Sequence, residues 1–204
     1  MTITVVQNLQ SFFTDAIDQA LQRCKVSASS DTTAYIGQLL VDRANPSSRM
    51  FRTGLVPHSS LVMAYDHARC VPIGDRATAL KLVGDHALCA AGFLEATEHR
   101  AVTERLGMLA YANAVTLVDS NESTVLMPDH PMAPQGVRNA LDALSIHFVQ
   151  YALVVSELAV ATSLGETTRD LVLLYDRWQK SKAPSALEAI TQSGVFPSDS
   201  GGDA

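Results

Sequence analysis

Charge is scarce in this sequence. Only 18% of its 204 residues are charged and the formal net charge is −6. The densest basic stretch, Arg43 to Arg52, is thinly spaced. Binding that relies on phosphate neutralisation needs the opposite balance, so no nucleic-acid partner is expected. Cysteine is also rare: Cys24, Cys70 and Cys89 form no C-x-x-C pair and leave one over in any pairing. A reducing compartment is the economical reading, and a cytoplasmic location is expected. The opening MTITVVQNLQSFF has neither the basic n-region nor the long apolar h-region of a signal peptide. No stretch reaches eighteen uninterrupted apolar residues, so no membrane span is expected. Period-two alternation is missing beyond the first few residues, which excludes a sheet protein. The sequence also has no G-x-S-x-G elbow, no Cys/His signature, no P-loop and no dinucleotide fingerprint.

What the chain has in abundance is apolar residues at helical spacing. Hydrophobic residues make up 47% of it, dominated by aliphatics, with aromatics only 6%. Val5, Leu9, Phe12, Phe13, Ala16, Ile17, Ala20, Leu21 and Cys24 trace one stripe of a first helix. A second runs from the cap-rich Ser27–Asp31 stretch through Tyr35, Leu39 and Leu40 to Ala44, ended by Asn45-Pro46. Ser59 or Ser60 caps a short helix through Leu61, Ala64, Tyr65 and Ala68. After Pro72 and Gly74, Asp75 opens a helix that reaches about Thr97, and another continues to about Asp119. Pro128, Pro131 and Pro134 mark 121–136 as a loop. Leu141, Leu144, Phe148, Tyr151, Val155, Leu158 and Thr162 then repeat with alternating spacings of 3 and 4, a bundle seam on one long helix over 137–164. Ile146, Val149, Leu153 and Val160 add apolar groups off that seam. An amphipathic helix over 167–180 should bury Trp178, and a last short one starts at Pro184-Ser185. The expected fold is therefore an all-α, single-domain bundle of about seven to eight helices with one long central helix. It spans 1–196, with 197–204 a flexible tail.

The candidate chemistry sits in LKLVGDHALCAAGF. Asp85 and His86 interrupt an apolar run, and adjacent helical residues face apart, so they make a poor hydrogen-bonded dyad. On a helical wheel Asp85 falls among Leu88, Cys89 and Gly92, and His86 among Leu82, Ala90 and Phe93. One reading makes Asp85 a packed carboxylate holding a basic or backbone donor from a neighbouring helix; Lys81, four residues earlier, could also reach it along the surface. The other makes Asp85, His86 and Tyr111 the polar lining of a small-ligand or cofactor site. Gly84, Ala87 and Ala91 share a stripe suited to close helix approach. Metal-ligating spacing is limited to the pairs His67/Cys70 and Glu95/His99, short of the three or four ligands of a zinc site, so no metal site is assigned. The cofactor stays unknown; a haem would need one of His58, His67, His86, His99, His130 or His147.

Several short motifs, in order, carry a resemblance. They are Tyr35-Ile-Gly-Gln-Leu-Leu-Val-Asp42, Gly84-Asp85 with Gly92-Phe93, Gly107 with Ala110-Tyr111, Leu174-Tyr175-Asp176-Arg177-Trp178, and Gly194-Val195-Phe196-Pro197. Together they resemble an uncharacterised family of bacterial all-helical proteins, across most of the chain. The resemblance implies a helical fold and a bacterial origin, and no activity. The sequence departs from that pattern at Thr103-Glu-Arg-Leu106, where the family carries adjacent tyrosines. Two classes of function follow as expectations. The first is a non-enzymatic binding or interaction protein that forms a homodimer through the long helix or the Gly84 helix, or engages another protein. The second is a bundle that holds a small apolar ligand or a cofactor, with an enzymatic role left open.

Overall fold

The computed structural model describes residues 2–44, 60–93, 100–120, 131–163 and 183–192. Among them the fold is all α, with eight helices and no strand. In chain order these are α1 (Thr2–Cys24), α2 (Ser30–Ala44), α3 (Leu61–Cys70), α4 (Ile73–Phe93), α5 (Arg100–Asp119), α6 (Pro134–Ile146), α7 (Phe148–Ser163) and α8 (Pro184–Gln192). The helical bundle is as the apolar periodicity predicts. The segment 164–182, with Trp178, and the tail 197–204 lie outside the described residues.

Local sequence accounts for the helix ends. At the close of α1, Lys25 adopts φ 55°, while Val26 N–H reaches Leu21 O at 3.0 Å and Lys25 N–H reaches Gln22 O at 3.2 Å. This is a Schellman closure built on a lysine where glycine is usual. Ser29 then caps α2, its Oγ accepting from Thr32 N–H at 3.2 Å. Ser60 caps α3 through Met63 N–H at 3.4 Å, and Pro134 occupies the first turn of α6.

Helix α4 is the hub. It packs most extensively on α5, then on α7 and α3, while α2 leans on α1 and α6. Thirteen of its side-chain positions between Ala77 and Gly92 are buried, so it is apolar nearly all round. The close-approach stripe does face another helix. A methyl added at Gly84 would lie 2.6 Å from the Tyr111 ring of α5, and one at Gly107 would run into Phe148 and come within 2.9 Å of Ala87 Cβ. Gly92, off the stripe, serves the same end against Val155 of α7.

The seam over 137–164 is buried as expected, but not on one straight helix. Leu141, Leu144, Phe148, Tyr151, Val155 and Leu158 are all at most 2% exposed, yet the chain turns by 97° at His147 between α6 and α7. The turn lets α6 cover α5 and α2 while α7 runs against α4 and α1. A straight helix of that length would carry half the seam past the core. The bend leaves the off-seam residues Ile146 and Val149 outside, 61% and 49% exposed.

The glycine notches give a direct test. Overpacking a well-filled core costs about 1–3 kcal/mol, against a helix-propensity gain of up to about 1 kcal/mol for glycine to alanine. Gly84→Ala is therefore expected to lower stability. Gly37→Ala, whose methyl would meet nothing nearer than Ile17 Cδ1 at 3.7 Å, should be neutral or stabilising. Urea unfolding of the two variants should separate them in opposite directions.

Candidate functional site

Asp85 is 1% exposed, at the centre of α4. Its Oδ1 accepts two phenol protons, from Tyr35 of α2 at 2.5 Å and from Tyr111 of α5 at 2.9 Å. Its Oδ2 accepts from Lys81 Nζ at 2.7 Å, one turn back on α4. The Lys81 ammonium also lies 5.0 Å from the centre of the Tyr35 ring, within cation–π range. Tyr35 and Tyr111 are 1% and 0% exposed and Lys81 4%, so the whole group is enclosed.

Each donor arrives by a different route. Lys81 and Asp85 share a helix face at i, i+4. Tyr111 lies across the Gly84 notch, its hydroxyl one residue further along α4, and its ring tilts against Phe148 at 6.1 Å between centroids. Phe148 in turn fills the Gly107 notch. Helix α2 is not closely packed along α4; the length of the Tyr35 side chain spans the gap.

The electrostatics keep these groups in one protonation pattern. Burial, and after it the Asp85 charge, hold both tyrosine hydroxyls well above the usual phenol range, so both remain donors. Burial pushes the Cys89 thiol up to about 12, eased by Arg43 and raised further by Asp85. A thiol so placed is not a nucleophile near neutral pH. Nearer the surface, burial raises Asp42, although the Gln38 amide and Lys81 both favour its ionised form.

Of the sequence candidates, Asp85 and Tyr111 are brought together, and His86 is turned aside. His86 is half-buried, and burial followed by the Arg43 charge lowers its pKa. Its imidazole makes no hydrogen bond among the described residues. Lys81 does reach Asp85, but in the interior rather than along the surface as expected. Tyr35 was missed as a partner, since nothing local in the sequence ties α2 to α4. Among the described residues no group of three or more His, Cys, Asp or Glu could hold a metal ion. His67 and His147 are exposed, and His58, Glu95, His99 and His130 lie outside the described residues. No single described helix is long and apolar enough to cross a membrane.

A second buried carboxylate lies where α1, α7 and α8 meet. Glu157 is 0% exposed; its Oε1 pairs with Arg23 Nη1 at 3.3 Å and its Oε2 accepts from Ser185 N–H at 3.0 Å. Beside it, burial and then the Glu157 charge push the Cys24 thiol up to about 11. The Ser185 hydroxyl is buried and has no hydrogen-bond partner among the described residues.

No family model, curated protein or solved structure matches this chain.

Chemically, the Asp85 group is a closed node. A general base needs a lone pair aimed at a proton it can reach, and here the carboxylate is enclosed by its three donors. Removing one member of a buried ion pair leaves the other charge uncompensated, at a cost of about 3–5 kcal/mol. Asp85→Asn should lose stability in that range, and adding Lys81→Met should recover part of the loss. A double mutant no more stable than Asp85→Asn would deny the coupling.

His86 carries a pH test. Its folded pKa lies below the ordinary 6.5, so between the two values the unfolded chain binds more protons. Stability is then full above the unfolded pKa and falls as pH drops through that window. His86→Gln should match wild type near about pH 8 and lose less than wild type by about pH 5.5. Thermal melts at the two pH values check the sign.

Proposed function

We propose that this chain is a bacterial, cytoplasmic interaction protein that pairs with a second copy of itself, and that Asp85 serves the fold instead of a reaction. The observation that carries the reading is the apolar corner at the α6–α7 bend, where Ile146 and Val149 stand 61% and 49% exposed. Single exposed hydrophobics are ordinary, but here two of them flank one turn of the backbone. The Gly84 helix, the other expected contact, has its small-residue stripe occupied by Tyr111 and Ala87–Gly107 packing, so the contact is assigned to the corner. The resemblance to bacterial helical proteins supports the origin, and three free cysteines suit a reducing compartment.

A second reading, a small-ligand or cofactor protein, is favoured by one observation. The half-buried His86 imidazole has no hydrogen-bond partner among the described residues, and a neutral imidazole is a good iron or zinc ligand. The absorption spectrum and metal content of the native purified protein separate the two readings.

For self-association the expected result is a light-scattering mass of twice the 21.9 kDa chain at micromolar concentration. Ile146→Glu with Val149→Glu should return it to a single chain while leaving the melting temperature nearly unchanged. A native protein that already runs as one chain would sink the proposal.

A further inference from the structure

We draw no further inference here: the strongest candidate, the apolar patch on the outer face of α5 where Val102 and Leu109 are 49% and 43% exposed, carries nothing because nothing in the structure shows what covers it.

Discussion

A carboxylate in the middle of an aliphatic helix must find donors or lose its charge, and the arrangement of this bundle follows from where Asp85 finds them. Unpaired, an ionised group at that depth would cost many times the net stability of a domain this size. The three donors come from three directions: Lys81 along α4, Tyr35 from α2 and Tyr111 from α5. Each bond is charge-assisted and has a narrow geometry. Sliding α5 by one turn along α4 would carry the Tyr111 hydroxyl about 5.4 Å away and break its bond. Apolar faces alone tolerate such shifts much better.

The glycines belong to the same constraint. Tyr111 can reach Asp85 because Gly84 lets its ring lie against the α4 backbone, and Phe148 can support that ring because Gly107 makes room for it. Glycine in a helix interior costs up to about 1 kcal/mol against alanine, and here each cost is offset by a packed aromatic ring. A buried ion pair is often no more stabilising than well-packed apolar groups of equal size. What the Asp85 node contributes is therefore best understood as a choice among packings. In a core made largely of Ala, Leu and Val, with few aromatic shapes to key it, one fully partnered polar group can fix which helices are neighbours.

The sequence made the helices legible because their apolar spacing is regular over three or more turns, as in α1 and in the seam from Leu141 to Leu158. It did not make the 97° turn at His147 legible. No proline or glycine marks it, and the seam continues through it in register; the turn is decided by where α5, α2, α4 and α1 offer apolar surface. The site was legible in part. Asp85 stands out by its apolar surroundings, and the wheel correctly separated it from His86. Tyr35 could not be found from the sequence, because its contact with Asp85 spans 50 positions. Lys81 left a clearer signal: it lies between Leu80 and Leu82, both buried. A lysine flanked by core leucines on an all-round apolar helix has nowhere to go but inward, toward a carboxylate one turn away.

The two buried carboxylates show how similar chemistry can serve opposite ends. Asp85 takes all three of its bonds from long side chains rooted in the central helices, so opening any of them means separating the core. Glu157 divides its bonds between a cation half in water and the first turn of a nine-residue helix. The free energy holding a region is set by what must be exposed to open it. For the Asp85 node that is the α4–α5 interface, the most extensive among the described helices. For the Glu157 junction, among the described residues, it includes Ala183, Ala186 and the Ser185 hydroxyl. What must separate to expose each carboxylate therefore follows from how it is partnered.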